Sequence, residues 1–249
     1  MPAYPQSIVP VGSVEPVPRR VRAVLAGRVV LDTTRARYGW EWPPYPQFHV
    51  PLADVDPDVL VDEGLDEDRP LGRARRYGLR AGDVERPAAG WCYADGPLAG
   101  HLRVEWSALD AWFEEDEEVF VHPRNPYSRV DALRSQRRVR IESGGVVLAE
   151  SSSPVVLFET GLPPRFYLPR PDVRFEHLVP SDTRTECPYK GRTTGYWSVP
   201  GGPADIAWSY DFPAAAVLPI AGLVAFYDEK VDVVLDGVAQ ERPVTHFSA

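Results

Sequence analysis

The chain has 249 residues, a net charge of −9, 27 prolines and an apolar content of 44%. That length holds one large or two ordinary domains with enough apolar material for a packed core. The acidity disfavours generic binding to phosphate backbones, and a proline share about double the usual one interrupts long helices.

The two cysteines, Cys92 and Cys187, form neither a CxxC pair nor a disulfide framework, which fits a reducing compartment. Met1 to Arg20 is Pro- and Val-rich and lacks the basic-then-apolar plan of a signal peptide. The longest apolar run, Ala214 to Tyr227, is interrupted by Pro219 and Gly222 and is too short to span a bilayer. The expectation is a soluble, cytoplasmic protein that engages neither membrane nor nucleic acid.

Along the chain the local signals are those of strands and turns. Val21 onward reads as a hairpin with Ala26-Gly27 at its tip. Asp54-Val55-Asp56-Pro57-Asp58 resembles the start of a calcium loop but lacks the sixth-position glycine and the spaced Glu, so it reads as a solvated acidic turn. Glu114 to Glu118 reads as a solvated strand end, and Arg134, Arg137, Arg138 and Arg140 as a solvated face. A second hairpin follows: Val139-Arg140-Ile141-Glu142 alternates, Ser143-Gly144-Gly145 turns, and Val146-Val147-Leu148 returns. Further strands are expected over Val155–Phe158, Phe166–Leu168, Val173–Leu178, Tyr196–Val199, Ile206–Tyr210, Leu223–Tyr227 and Val231–Leu235. No amphipathic helix longer than about three turns is apparent, so the class is mainly β.

The two hairpins belong to an internal repeat. Val21–Val55 superimposes on Val139–Val173 at a constant offset of 118, with ten of 35 pairs identical, among them Gly27/Gly145, Glu41/Glu159, Pro46/Pro164, Phe48/Phe166 and Asp54/Asp172. Chance supplies roughly two such identities, so the chain is a duplication. The copies are expected over residues 20–118 and 139–237, joined by a turn-rich connector over 119–138 that contains His122-Pro123-Arg124-Asn125-Pro126.

Copy 2 carries a polar and aromatic stretch with no equivalent read in copy 1: Ser181-Asp182-Thr183-Arg184-Thr185-Glu186-Cys187-Pro188-Tyr189-Lys190-Gly191, followed by Tyr196-Trp197-Ser198 and Ala207-Trp208-Ser209-Tyr210. Cations such as Arg184 and Lys190 favour a thiolate at a neighbouring cysteine, which makes Cys187 a candidate nucleophile; the alternative is a small buried hydrophobe. Lys190 is a candidate acid–base group or anion anchor. Tyr189, Tyr196, Trp197, Trp208 and Tyr210 are candidate pocket walls, or core aromatics. Ser181, Asp182 and Glu159 would add polar contacts, although Glu41 and Glu159 read equally well as carboxylates satisfying loop amides. Walker, GxGxxG, HExxH and GxSxG motifs are absent, and His49, His101, His122, His177 and His246 show no metal-ligand spacing.

The succession Ser181-Asp182-Thr183, Cys187-Pro188-Tyr189-Lys190-Gly191, Tyr196-Trp197-Ser198, Ala207-Trp208-Ser209-Tyr210 and Ala221-Gly222-Leu223-Val224-Ala225-Phe226-Tyr227 resembles the hallmark of the bacterial family catalogued as domain of unknown function 427. The tandem arrangement resembles its longer members. The resemblance implies a β-tent in each copy, two antiparallel sheets pinned at one edge, as in the drug-binding domain of cereblon and B-type methionine sulfoxide reductases. Those proteins hold zinc through CxxC pairs, which this chain lacks, so neither zinc nor another cofactor is expected. The family's nucleotidyltransferase label implies a Gly-Ser followed by a paired-acid strand, and no such motif stands here. Two functions follow as expectations: a small-molecule-binding module with its pocket in copy 2, or an enzyme using Lys190, Cys187 and Glu159 in that pocket, with nucleotidyl transfer as the reaction that the family label implies.

Overall fold

The computed structural model describes residues 9–245, 247 and 248; His246 lies outside the described residues. The chain divides into two compact units, one ending at Asn125 and the next beginning at Pro126. Both are mainly β, with helical structure confined to short 3-10 turns among the described residues. No helix among the described residues is long and apolar enough to cross a membrane.

The N-terminal unit has a seven-stranded sheet ordered Val14–Pro16, Arg37–Gly39, Gln47–Pro51, His101–Val104, Val84–Tyr93, Gly72–Ala81, Leu60–Arg69. Its four-stranded sheet runs Glu117–Val119, Ala111–Glu114, Val21–Leu25, Arg28–Thr33. The C-terminal unit repeats both orders. Its large sheet runs Val130–Arg134, Val155–Glu159, Arg165–Leu168, Val224–Phe226, Ala207–Ser209, Gly195–Ser198, Val179–Ser181, and its small one Val146–Ser151, Val139–Ser143, Asp232–Leu235, Val238–Ala239. Every pairing is antiparallel. The copies share their irregularities too. A bulge at Ala23/Val24 recurs at Ile141/Glu142, and the isolated bridge Leu31–Val55 recurs as Ala149–Val173.

Alternation along these strands separates two faces of each large sheet. In the C-terminal unit Val156, Phe166, Leu168, Ala207 and Phe226 face the small sheet and pack with Val139 and Ile141. Leu157, Tyr167, Tyr196, Trp208, Tyr210 and Ala225 form a second cluster on the other face.

Three expectations need correction. Val173–Leu178 is not a strand: Phe175–His177 is a 3-10 turn, and pairing starts only at Val179, opposite Ser198. Glu114 is not solvated; it is 2% exposed and accepts Arg19 at 2.5 Å, while Glu115 and Asp116 form the exposed turn. The connector also contains a strand, Val130–Arg134, which edges the second large sheet.

Candidate ligand site

Lys190 occupies the turn joining two short strands, Glu186–Cys187 and Gly191–Arg192, with Cys187 opposite Gly191. Gly191 has φ +97°, a conformation that side-chain-bearing residues resist, and the Ala214 amide holds the turn by donating to the Lys190 carbonyl at 3.0 Å. The turn delivers Lys190 to the end of the strand Val155–Glu159. There its Nζ donates to both Glu159 oxygens, at 2.7 and 2.6 Å. The two side chains are 12% and 15% exposed, so the pair is largely buried yet reachable from solvent.

Burial pushes the Lys190 ammonium toward the neutral form, but the neighbouring Cys187, Glu159 and Tyr167 side chains outweigh it, and its pKa lies above the ordinary lysine value. Cys187 is half-buried on the strand that enters the same turn, and it acts on Lys190 electrostatically. Burial, with the further influence of Tyr167 and Cys187, raises the Tyr210 hydroxyl well above the usual phenol range. Tyr167 is raised by burial as well, so both stay neutral hydroxyls at physiological pH. Trp208 Nε1 donates to the Tyr167 hydroxyl at 3.2 Å, and the Tyr196 hydroxyl lies 3.0 Å from Thr185 Oγ1 and 3.1 Å from the Tyr227 hydroxyl.

Of the residues singled out in the sequence, Glu159, Lys190, Cys187, Tyr196, Trp208 and Tyr210 share this face and Tyr189 lies half-buried in the same turn. Trp197 does not join them. As the neighbour of Tyr196 it projects from the opposite face, 5.4 Å from the Phe175 ring, with Arg170 over its indole. Ser181 and Asp182 stand apart as well: Ser181 Oγ donates to Thr183 Oγ1, which donates to Asp205 at 2.7 Å, and Asp182 is exposed. Arg184 donates to the carbonyl of Thr183 in its own loop at 2.7 Å. Tyr167, Tyr227 and Thr185 were not singled out. The signal for Tyr167 was its place in the repeat opposite His49.

Strand register reveals the counterpart in the N-terminal unit. Asp68 pairs with Arg73 and Arg69 with Gly72, as Glu186 pairs with Arg192 and Cys187 with Gly191. Asp68-Arg69-Pro70-Leu71-Gly72-Arg73 is thus the counterpart of Glu186-Cys187-Pro188-Tyr189-Lys190-Gly191-Arg192, one residue shorter in the turn. Trp91 pairs with Arg103, and Trp208 with Ala225, which matches Gly90-Trp91-Cys92-Tyr93 to Ala207-Trp208-Ser209-Tyr210. Here the carboxylate is sealed. Glu41 is 0% exposed at its side chain, accepts the Tyr93 hydroxyl at 2.7 Å, lies 3.2 Å from His49 Nε2, and has Arg69 and Arg103 each 3.5 Å away. Burial alone would raise the Glu41 pKa, but the His49 bond, Arg103 and Tyr93 hold it below the usual range.

The family model described as a domain of unknown function (DUF427), labelled NTP_transf_9, matches the chain twice, over residues 13–115 and 131–237. The chain belongs to this family. The two matches make it a tandem DUF427 protein, in agreement with the shared sheet order and register. No curated protein matches it. Among the described residues of either DUF427 unit, no group of three or more His, Cys, Asp or Glu side chains is placed to hold a metal ion.

Proposed function

We propose that the C-terminal unit is a small-molecule-binding module whose ligand is a compact polar molecule held at Lys190 and Glu159. The observation that carries this reading is the contrast between equivalent carboxylates: Glu41 is 0% exposed and Glu159 is 15% exposed, bound to a lysine from a turn. An ion pair reached by solvent on one side and walled by Tyr167, Tyr210 and Trp208 on the other offers a donor, an acceptor and a dry surface together. A ligand with an acceptor for Lys190 and an N–H or O–H donor for Glu159 would satisfy both. The test is a thermal-shift and calorimetric screen of the full chain against compact polar and cyclic metabolites. A hit at about one hundred times its Kd adds roughly 2.7 kcal/mol. Lys190→Met and Glu159→Gln should each abolish the shift, and Cys187→Ala should leave affinity nearly unchanged. A folded Lys190→Met protein that binds as wild type refutes the reading.

A second reading is favoured by the placement of Cys187 in the Lys190 cluster: an enzyme with Cys187 as nucleophile and Lys190 or Glu159 as proton donor or acceptor. It requires rapid alkylation of Cys187 in the folded protein at neutral pH, and slow labelling removes it. The nucleotidyl-transfer version requires a magnesium-dependent thermal shift with a nucleoside triphosphate.

A further inference from the structure

The two units also differ on the sheet face opposite the Lys190 site, in the space between the large and small sheets. In the N-terminal unit that space is packed with rings. Trp106 and Trp112 stack at 4.9 Å, Phe48 lies 6.2 and 5.9 Å from them, and Tyr38 lies 5.8 Å from Phe48. Register assigns the counterparts in the C-terminal unit. Trp112 lies opposite Ala23 as Val233 lies opposite Ile141, so Val233 replaces Trp112. Val156 stands for Tyr38 and Phe158 for Trp40 at the repeat offset of 118. Asp228, two residues past Phe226, stands for Trp106, two residues past its counterpart Val104. Three large rings are thus exchanged for two valines and a carboxylate, while the strands pair as before.

The sheets have not closed over the loss. A cavity of about 780 Å³ occupies the position, lined by Val156, Phe158, Phe166, Val233, Leu235 and Asp228, with the segment 238–244 along one side. That volume lies in the range of small-molecule sites, about 300–1,000 Å³. Its charge is set unevenly. Two of its arginines are already matched, Arg137 to Asp236 and Arg242 to Asp232, each at 2.8 Å, and the other two charged side chains at its rim, Arg134 and Glu241, are exposed and opposite in sign. At Asp228 the balance is negative: one guanidinium, Arg165, serves both Asp228 at 3.2 Å and Glu229 at 3.1 Å. An apolar slot with one surplus negative charge favours a cation mounted on a flat ring.

We propose that this cavity is a second ligand site, for a planar bicyclic aromatic bearing a protonated amine, its ring in the volume that Trp106 and Trp112 fill in the other unit and its amine on Asp228. The test is calorimetry on the full chain at pH 8 with three probes of one ring and three charges: tryptamine, indole and indole-3-acetate. Tryptamine should bind at least tenfold more tightly than either of the others. Asp228→Asn should bring tryptamine down to the affinity of indole. Val233→Trp and, independently, Val156→Tyr restore residues of the other unit and should each weaken tryptamine at least tenfold, with far-UV circular dichroism confirming the fold. Absence of binding by all three probes to the wild type overturns the site. Equal or tighter binding of indole-3-acetate overturns the assigned charge. Unchanged tryptamine affinity in a folded Val233→Trp or Val156→Tyr protein overturns the location.

Discussion

Replacing Lys190 by Met strands the Glu159 carboxylate on a face it shares with Tyr167 and Trp208. The pair is short, 2.7 and 2.6 Å, and only 12% and 15% exposed. Removing one member of a buried pair costs about 3–5 kcal/mol, and partial exposure places this one near 3 kcal/mol. Glu159→Leu should cost about the same, because it leaves an ammonium unneutralised. The double replacement removes both desolvation penalties along with the attraction, so it should cost no more than either single replacement, against about 6 kcal/mol for their sum, a coupling of at least about 3 kcal/mol. Two units need not melt in one transition, so the assay is amide hydrogen exchange read on peptides covering residues 155–168 and 186–198. Because the folded pKa of Lys190 is raised, its stabilisation is fully present below the ordinary lysine value of about 10.4 and is lost only as pH rises through the folded value. The coupling should therefore be the same at pH 6 and pH 9. Additive single effects, or singles below about 0.5 kcal/mol, would refute the reasoning and reduce the pair to an ordinary surface bridge.

Other outcomes follow from the same geometry. Glu41→Gln should destabilise the N-terminal unit by about 3 kcal/mol at pH 7. Since its folded pKa is depressed, that penalty should stay constant down to about 4.5 and shrink only below it, as pH falls through the folded value, which calorimetry at pH 7 and at pH 3 would check. Asp228 behaves oppositely: burial pushes its pKa up to about 6, so its favourable contribution belongs to low pH and fades as pH rises from about 4 to 6. Asp228→Asn should gain about 2 kcal/mol relative to wild type between pH 4 and pH 8, and the reverse trend in melting temperature would sink this account. Gly191→Ala forces a side chain into φ +97° and should cost about 1–2 kcal/mol, visible as a lowered midpoint in thermal unfolding.

The strand pairs were legible because alternation and turn residues are local signals, and Val139–Ser143 with Val146–Ser151 forms where both occur together. Placing Tyr196 and Trp197 on one pocket wall from sequence went against the alternation by which adjacent strand residues point to opposite sides, and Trp197 packs on Phe175 on the other face. The counterpart of the Lys190 turn was not legible. One residue of length difference shifts the offset between copies, and only Pro, Gly and Arg survive from Pro188, Gly191 and Arg192 in Pro70, Gly72 and Arg73. Pairing register restores the match because hydrogen-bonded partners are fixed in space whatever the spacing along the chain. The inter-sheet cavity was out of reach for a related reason. It depends on Val156, Asp228 and Val233 lying together, residues that come from three separate segments.

The turn that separates Cys187 from Gly191 decides where the positive charge is mounted in each unit. In the N-terminal unit one of the two cations near the buried carboxylate hangs from the hairpin strand itself, at Arg69. In the C-terminal unit one additional residue lets the turn supply the cation, and the strand position passes to a thiol. A one-residue difference in turn length thus moves a positive charge from the strand to the turn and leaves the strand position to a thiol. The flanking pairs Asp68–Arg73 and Glu186–Arg192 keep the hairpin in the same register in both units, so the change in chemistry leaves the strand pairing as it was.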